Sequence, residues 1–325
     1  MHTYRAQLVD GQIQITPQQA PTPEPGPGQL QVQVHAAGMN RGELLALHLR
    51  PGVSGRAVAL GMEAAGVVTK VGPDVSSFKV GDRVTGRCHA AYSDQVLMEA
   101  TDAMPVPQAL SWEQASAVPI ASLVVYDMLV AQGHLSKGEW LLVTGISSGV
   151  GVLAMQLAKS LGAHVIGTSG SAAKLRRLQE MGLDVGLNTR APDFHEAVLD
   201  ATKQHGADLV VDAVGGTVFA ECVRSMAFEG RLAMVGYLDG VQSSELDLAA
   251  LHSKRLTLFG VSSKAQSLEQ RHRLVQGVVH DMLARMPHDL PAPSIDRVFA
   301  FDQLAEALAY MESDTQLGKV VLRML

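Results

Sequence analysis

The chain has 325 residues, which exceeds the size at which a single hydrophobic core stops growing, so two domains are expected. Its composition is that of a globular protein, with 47% hydrophobic residues and a net charge of −6, and it lacks the basic surplus that nucleic-acid binding requires. Only two cysteines occur, Cys88 and Cys222, which excludes a disulfide framework and a four-cysteine zinc lobe.

No stretch of the sequence is typical of a membrane span or a secretory signal. The longest apolar stretches, such as Ile120 to Ala131, are about half as long as a bilayer span, and polar residues interrupt them. The first residues are polar and run into an alternating strand pattern, without the apolar core of a signal peptide. We therefore expect a cytoplasmic protein that does not insert into membranes.

Short β patterns separated by turn signals fill residues 1 to about 120. Strands are predicted over Gln29–His35, Ala65–Val71, Arg83–Thr85 and Gln95–Met98. The connector at 21–28 holds four prolines, so it forms neither a helix nor a central strand. These patterns predict a β-barrel-like domain.

From Glu139 the pattern changes to strands that alternate with amphipathic helices. Parallel neighbours in a sheet need crossover connections, so this α/β alternation predicts a doubly wound, Rossmann-type parallel sheet. Six strands are predicted, over Trp140–Thr144, His164–Thr168, Asp184–Leu187, Asp208–Ala213, Arg231–Gly236 and Arg255–Val261. Helices are predicted over Val150–Leu161 and Ala172–Met181, and near 193–204 and 217–228.

The C-terminal part is predicted to leave the second domain. A long helix over Leu268–Arg285 is followed by a proline-rich link. A strand, a helix over Asp302–Glu312 and a strand over Lys319–Leu322 then complete the pattern, and we expect this tail to return to the first domain. The predicted domains are therefore 1–121 together with 263–325, and 122–262.

A glycine-rich loop joins the first strand of the second domain to the helix that follows. Glycines let the backbone approach a ligand without a Cβ in the way, and the N–H groups and dipole of the helix start attract an anion. The residues predicted to bind dinucleotide phosphates are Gly145, Ser147, Ser148, Gly149, Val150 and Gly151. Three residues separate Gly145 from Gly149, so the spacing departs from GxGxxG, and a purely structural turn is the alternative.

The residues after the second strand favour NADPH over NADH. NAD sites place Asp or Glu about 20 residues after the first glycine, but no carboxylate occurs here before Glu180. The region instead offers hydroxyls such as Ser169 and the cations Lys174, Arg176 and Arg177, a chemistry that suits a 2′-phosphate. The alternative is that these cations form only the solvated face of the second helix.

Several short motifs are distributed over nearly the full length of the chain. They are Ala37-Gly38-Met39-Asn40, Gly61 to Val68, Val71-Gly72, Val80 to Val84, Gly138-Glu139, Gln156 with Lys159, and Leu317 to Leu322. Together they resemble the zinc-free quinone oxidoreductase branch of the medium-chain dehydrogenase/reductase superfamily. The resemblance implies a GroES-like β-barrel catalytic domain built from both chain ends, an inserted Rossmann domain, and commonly a homodimer paired through Arg255–Val261.

The resemblance also implies roles for individual residues. Asn40 matches a family residue near the nicotinamide ribose. Further cofactor contacts are expected at Ser169, Lys174, Thr189, Arg190, Gly236 and Lys319. Ile146 and Ser148 replace small residues of the family's phosphate loop and are expected to narrow it. Val124 stands where a threonine would contact the nicotinamide.

Zinc-dependent relatives place a cysteine and a histidine where this chain has Met39 or Asn40 and Met62. Thioether and amide side chains do not build a zinc site, so no metal is expected. Reduction must then rely on orientation, with the NADPH hydride held against an electron-poor carbon or oxygen. A quinone or an activated alkene suits this chemistry, because its own conjugation stabilises the anion that forms.

The proton that completes such a reduction has several candidate donors, and the sequence does not choose among them. They are Tyr92, Tyr126, His48, Tyr237 and water, of which Tyr92 and Tyr126 join Asn40 as candidate catalytic residues. The aliphatic segment Leu44 to Leu49 is expected to line a pocket for an apolar substrate.

Two alternatives to a quinone or enone reductase stay open. An enoyl-thioester reductase would need a basic patch at the mouth of the cleft, for which Arg41, Arg50 and Arg56 are candidates. A non-catalytic NADPH-binding sensor is the second alternative, because a fold does not determine a function.

Overall fold

The computed structural model describes residues 1–9, 12–43 and 57–324. Two compact units divide the chain: the first contains Met1–Ala121 and Arg271–Leu325, and the second contains Ser122–Gln270. The first unit therefore takes residues from both ends of the sequence, and the second unit is inserted between them.

The strands, in chain order, are β1 (His2–Val9), β2 (Gln12–Gln19), β3 (Gln29–Gly38), β4 (Val58–Ala59), β5 (Glu63–Val71), β6 (Arg83–Arg87), β7 (Gln95–Glu99), β8 (Ala103–Pro105), β9 (Trp140–Val143), β10 (His164–Thr168), β11 (Val185–Leu187), β12 (Ala207–Asp212), β13 (Met226–Met234), β14 (Thr257–Gly260), β15 (Ile295–Ala300) and β16 (Lys319–Arg323).

The α-helices are α1 (Trp112–Ser116), α2 (Pro119–Tyr126), α3 (Gly149–Ser160), α4 (Ala172–Glu180), α5 (His195–Ala201), α6 (Gly216–Arg224), α7 (Leu248–Ser253), α8 (Leu268–Gly277) and α9 (Leu304–Glu312). Helix α8 continues as a wider helical turn over Val278–Met282 and a tighter one over Leu283–Arg285. None of the helices in the described ranges is long and apolar enough to cross a membrane.

The first unit is organised around a sheet in which β15, β16, β3, β5, β6 and β8 follow one another, with β7 also paired to β3. Its core forms because alternate strand residues are apolar: Leu30, Val32 and Val34 of β3 are at most 3% exposed. The strand β16 pairs antiparallel with β3, with Val321 opposite Gly38. This pairing brings the start of β16 beside the residues that follow β3.

The second unit contains a parallel sheet in the order β11-β10-β9-β12-β13-β14. This order confirms the predicted doubly wound sheet. β9 lies between its two neighbours, with Leu142 opposite Ile166 of β10 and Val210 of β12. The chain reverses its direction of winding at β9, and ligands of such sheets bind at the carboxyl ends of the strands beside this reversal.

The helix and the strand that meet near residue 225 of the second unit differ from their predictions. The helix expected to run to about residue 228 ends at Arg224, and the next strand begins at Met226 rather than Arg231. Met226 is buried and pairs with Ala207 of β12. Pairing with a neighbouring strand therefore overrides the helical pattern of this segment.

Candidate functional site

The loop between β9 and α3 bends at Gly145 and buries its one large side chain, that of Ile146. Gly145 has a φ of +63°, a conformation that favours glycine. Its N–H donates to Thr168 Oγ1 at 3.2 Å, and the N–H of Ile146 donates to the Thr168 carbonyl oxygen at 3.0 Å. The Ile146 side chain is fully buried against Gly167, where a Cβ would clash with it. The expectation that Ile146 narrows the loop is therefore wrong, because its side chain points into the protein.

Helix α3 begins at the end of this loop with a serine cap. Ser148 Oγ accepts a hydrogen bond from Gly151 N–H at 3.0 Å. The N–H groups of Gly149 and Val150 open the helix and have no acceptor within it. A Cβ at Gly151 would stand 2.6 Å from a loop carbonyl oxygen, so glycine is needed for this packing. The half-buried Ser147 completes a loop whose open amides favour an anion.

A buried carboxyl group ties the ends of β9 and β12 together beside the loop. Thr144 Oγ1 donates to Asp212 Oδ1 at 2.9 Å and accepts from Ala213 N–H at 3.0 Å. The same Asp212 oxygen accepts from the N–H groups of Val214 and Gly215 at 3.0 and 3.1 Å. Burial raises the pKa of Asp212 above its ordinary value, although these hydrogen bonds act in the opposite direction. The Thr144–Asp212 pair thereby determines the shape of this edge.

The segment after β13 reaches the same edge of the sheet. A Cβ at Gly236 would stand 3.3 Å from the carbonyl oxygen of Ala213, so the backbones approach closely there. Tyr237 and Leu238 follow and are 50% and 46% exposed. A Cβ at Gly145 would lie 3.9 Å from a Leu238 methyl group. The predicted residue Gly236 is thus part of the edge that carries the glycine-rich loop.

The loop after β10 combines small residues with an arginine from beyond β11. Ser169 is buried, and its Oγ accepts from Ser171 N–H at 3.3 Å. Ser171 caps α4 by accepting from Lys174 N–H at 3.3 Å. The exposed Arg190 lies across Gly170 so closely that a Cβ at Gly170 would clash with Arg190 Nε. A guanidinium group and the first turn of α4 therefore flank one hydroxyl-rich loop.

Thr189 shapes the turn that carries Arg190. Its hydroxyl donates to Asp193 Oδ1 at 2.6 Å and accepts from Ala191 N–H at 3.0 Å. Because the hydroxyl is engaged on both sides within the turn, we infer that Thr189 positions Arg190 and does not itself offer a hydroxyl to a ligand.

This edge of the second unit fits a dinucleotide. A diphosphate needs backbone amides that it can approach without a side chain in the way, and the loop at the start of α3 supplies them. A further phosphate group needs cations at the end of the second strand, where Lys174 and Arg190 stand. The first carboxylate after β10 is Glu180, at the far end of α4.

A buried polar cluster lies in the first unit where β3, β5 and β16 meet. Lys319 Nζ donates to Glu63 Oε1 at 2.6 Å, to Asn40 Oδ1 at 2.8 Å and to the Met39 carbonyl oxygen at 3.1 Å. Asn40 Nδ2 donates to the same Glu63 oxygen at 2.8 Å. Glu63 Oε2 accepts from Ile120 N–H at 2.7 Å. The Glu63–Lys319 ion pair is therefore desolvated but fully hydrogen-bonded.

Glu43 and Tyr92 extend this cluster. Asn40 Nδ2 also donates to Glu43 Oε1 at 3.1 Å, and Tyr92 OH donates to Glu43 Oε2 at 3.4 Å. Burial raises the pKa of Glu43 to about 7; the nearby Glu63 acts in the same direction, while the hydrogen bonds and Lys319 oppose it. Burial also raises the pKa of the Tyr92 phenol well above its ordinary value. Glu43 thus changes protonation state near neutral pH.

Two predicted site residues of the first unit, Lys319 and Tyr92, direct their polar atoms to other residues of the buried cluster. A lysine ammonium has three N–H donors, and Lys319 uses three acceptors of its own chain. We infer that Lys319 positions Asn40 and makes no direct contact with a cofactor. Tyr92 is only 2% exposed, and its hydroxyl faces Glu43.

Two further candidates belong to α2, and several others lie outside the described residues. Tyr126 ends α2 in the second unit and is half-buried, as is Val124 of the same helix. The predicted pocket segment Leu44 to Leu49, with His48, and the arginines Arg50 and Arg56 lie outside the described residues.

Four residues of these sites had no predicted role. Glu63 lies within the motif at 61–68, and Glu43 stands three residues after Asn40, a spacing at which helical side chains meet. Thr144 and Asp212 end or follow neighbouring parallel strands, whose carboxyl ends share one edge. The sequence therefore places these four residues near the predicted sites, but only the hydrogen bonds of the structure show what each residue does.

The side chains that the resemblance places at zinc-ligand positions are thioethers and an amide. Met39 is buried, Met62 is 38% exposed, and the Asn40 amide is held by Glu63 and Lys319. Within residues 1–9, 12–43 and 57–324, no group of three or more His, Cys, Asp or Glu is arranged to hold a metal ion.

Two family models match the chain over separate segments. The alcohol dehydrogenase GroES-like domain matches residues 26–119, and the zinc-binding dehydrogenase model matches residues 149–277.

Known proteins are similar over most of the chain. The quinone oxidoreductase-like protein 2 homolog of Nematostella vectensis is 29% identical over 81% of this chain and 72% of its own length. The mycocerosic acid synthase-like polyketide synthase of Mycolicibacterium smegmatis is 30% identical over 89% of this chain, which spans 14% of that protein's length. The crystal structure of a Pseudomonas syringae quinone oxidoreductase superposes with a TM-score of 0.82 at 27% identity, covering 99% of this chain and 100% of that one.

The two matched family models follow the two units that the structure separates, and the strand order of the second unit is that of a nucleotide-binding sheet. The resemblance found in the motifs is thereby confirmed: the chain belongs to the medium-chain dehydrogenase/reductase superfamily of oxidoreductases.

Proposed function

We propose that the protein is an NADPH-dependent oxidoreductase that reduces a quinone or an activated alkene without a metal ion. The observation that carries the proposal is the glycine-opened start of α3 together with Arg190, which lies across Gly170 at the end of the second strand. The first feature suits a diphosphate and the second an additional phosphate.

The residues proposed to hold the cofactor form two sets, one for the diphosphate and one for the 2′-phosphate. The amides of Gly149 and Val150, at the positive end of the helix dipole, would bind the diphosphate. Arg190 and Lys174 would bind the 2′-phosphate, because a guanidinium fork and an ammonium form strong charge-assisted bonds with phosphate oxygens. NADH lacks this phosphate, so the preference for NADPH depends on these two cations.

When bound, NADPH supplies the hydride for the reduction. The chain's own contribution is to orient the reactants and to move a proton. Asn40 suits a positioning role, because Glu63, Lys319 and Glu43 hold both ends of its amide in one orientation. A quinone or enone needs no metal, because negative charge delocalises onto its own carbonyl oxygen.

A second candidate, reduction of an enoyl thioester, is favoured by the polyketide synthase relative, since polyketide chains are carried as thioesters. The activated double bond of such a substrate has the same electronic requirement as an enone. The two candidates therefore differ in the carrier group and not in the reacting atoms.

The proposal is tested by following NADPH consumption with phenanthrenequinone, a simple enone and a crotonyl thioester, with a metal chelator present throughout. We expect turnover of the quinone or the enone, and no loss of rate on chelation. A parallel titration measures NADPH binding without substrate.

Each alternative has its own result. Faster turnover of the thioester by tenfold or more would favour the second candidate. NADPH binding without turnover of any substrate would favour a non-catalytic sensor, and loss of rate on chelation that zinc restores would contradict the metal-free reaction. A chain that binds no NADPH would remove the proposal altogether.

A further inference from the structure

The polar cluster of the first unit contains two carboxyl groups and one ammonium group. Lys319 Nζ lies 2.6 Å from Glu63 Oε1, so its charge is paired with Glu63. Glu43 receives its two hydrogen bonds from neutral groups, the Asn40 amide and the Tyr92 hydroxyl. A negative charge on Glu43 is therefore less well compensated than one on Glu63, which favours a proton on Glu43.

Exposure distinguishes Glu43 from most of the cluster. Glu63, Lys319 and Tyr92 are at most 5% exposed, whereas Glu43 and Asn40 are half-buried. Among the described members of the cluster, Glu43 is therefore the partly exposed carboxyl group, and it is the acid best placed to give a proton to a bound molecule. Tyr92 is less well placed, because its hydroxyl is buried and faces Glu43.

We propose that Glu43 is the general acid that protonates the reduced substrate, while Asn40 and Tyr92 hold its carboxyl group in place. This inference rests on the proposed function. Tyr92 then acts as a positioning residue, in contrast to the sequence prediction that made it a candidate catalytic residue.

The proposed step combines a hydride from the cofactor with a proton from Glu43. The C4–H bond of bound NADPH would break to leave NADP⁺, and the hydride would form a C–H bond at the enone β-carbon, leaving an enolate, or an O–H bond at one quinone oxygen, leaving a hydroquinone anion. The Glu43 O–H bond would then break, and its proton would form a C–H bond at the enolate α-carbon or an O–H bond on the hydroquinone anion. The Glu43 carboxylate accepts hydrogen bonds from Asn40 and Tyr92, and water returns the proton.

The groups that face Glu43 come from several elements. Asn40 lies in the same turn, Glu63 in β5, Lys319 in β16, and Tyr92 and Cys88 between β6 and β7. Burial raises the pKa of the Cys88 thiol and of the Tyr92 phenol, so both stay protonated at neutral pH. Because the acid form of Glu43 is the active one, activity is expected below its pKa of about 7 and declines as the pH rises through it.

The test compares Glu43→Gln, Glu43→Asp and the exposed control Glu306→Gln as full-length protein with NADPH and an enone. For Glu43→Gln we expect kcat to fall by about 100-fold or more, a typical loss for a missing general acid, and the decline near neutral pH to disappear. Glu43→Asp keeps an acid and should retain a decline with pH, and Glu306→Gln should match the wild type. NADPH affinity should change less than about threefold in all variants, which separates proton transfer from misfolding.

A second measurement does not depend on turnover. An infrared pH titration of the carboxyl C=O band should show a group that ionises near neutral pH in the wild type and that is missing in Glu43→Gln. Tyr92→Phe should move this ionisation to higher pH, because it removes a hydrogen bond to the carboxylate. A purely structural role for Tyr92 would not shift the band.

The outcomes separate the two proposals. If the wild type turns over but Glu43→Gln keeps its rate and its pH profile, the assignment of Glu43 is overturned and the proposed function stands. If no Glu43-dependent carboxyl band titrates near neutral pH, the assignment is likewise overturned. If the wild type reduces no substrate, both proposals fail together.

Discussion

The side chain of Arg190 lies across Gly170, at the end of the second strand of the parallel sheet. Two features place it there: the turn held by Thr189 and Asp193, and the absence of a side chain at position 170. A carboxylate in this region would instead accept a hydrogen bond from the ribose 2′-hydroxyl of NADH. The choice between the two cofactors is thus proposed to depend on single side chains.

We predict that Arg190→Ala and Lys174→Ala each weaken NADPH binding by about 10- to 100-fold, the range expected for a lost hydrogen bond to a charged group. NADH binding should change little, because NADH lacks the 2′-phosphate. Titration of each variant with both cofactors measures the difference.

Arg176→Ala is the matched control for this prediction. Arg176 is exposed on α4, two residues beyond Lys174 and therefore on a different face of the helix. It should affect neither cofactor. Equal losses of NADH and NADPH affinity in Arg190→Ala would rule out its assignment to the 2′-phosphate.

At the scale of elements, the start of α3 has a structural role and a proposed role in binding the cofactor. Ser148 Oγ satisfies the Gly151 N–H and leaves the preceding amides, at Gly149 and Val150, open toward a ligand. The start of α1 has an equivalent serine, Ser111, which accepts from Gln114 N–H at 3.2 Å. No ligand is proposed at α1, so the two helix starts are proposed to differ in function although a serine caps each of them.

We predict that Ser148→Ala and Ser111→Ala each lower the free energy of unfolding by about 1 kcal/mol, the typical cost of a lost N-cap. Only Ser148→Ala should also weaken NADPH binding, because its loop holds the diphosphate. Denaturant unfolding and NADPH titration of both variants check this pair of effects. Similar NADPH affinity in the two variants would contradict the assignment of the α3 start.

At the scale of the whole molecule, the two ends of the sequence form one unit. β16 pairs with β3, and Lys319 reaches Glu63 although 256 positions separate them in sequence. The ion pair also holds Asn40, so the closing strand supports a residue of the proposed site. Dimerisation through β14, whose one partner strand in the described chain is β13, stays a prediction.

We predict that Lys319→Met lowers the free energy of unfolding by about 3–5 kcal/mol, because it leaves the Glu63 carboxylate buried without its counter-charge. The double variant Glu63→Gln/Lys319→Met should recover part of this loss, since it removes the uncompensated charge. Denaturant unfolding of the two variants beside the wild type provides the comparison. A loss below about 1 kcal/mol in Lys319→Met would show that the pair does not stabilise the first unit.

Local patterns alone identify most of the architecture. The alternation of strands and helices predicts the parallel sheet, and the loop from Gly145 to Gly151 predicts an anion site, because periodicity and glycine spacing depend on neighbours a few residues away. The superfamily follows from motifs of the same short range.

Contacts between segments that are distant in sequence could be identified only from the tertiary structure. The direction of the Ile146 side chain, the end of α6 at Arg224 and the position of Arg190 over Gly170 all depend on a neighbouring strand or loop. So does the environment of Glu43, whose pKa is raised by burial and by Glu63 and lowered by the hydrogen bond from Tyr92, among others. Burial and charge pairing arise only when these segments meet, so no local pattern in the chain encodes them.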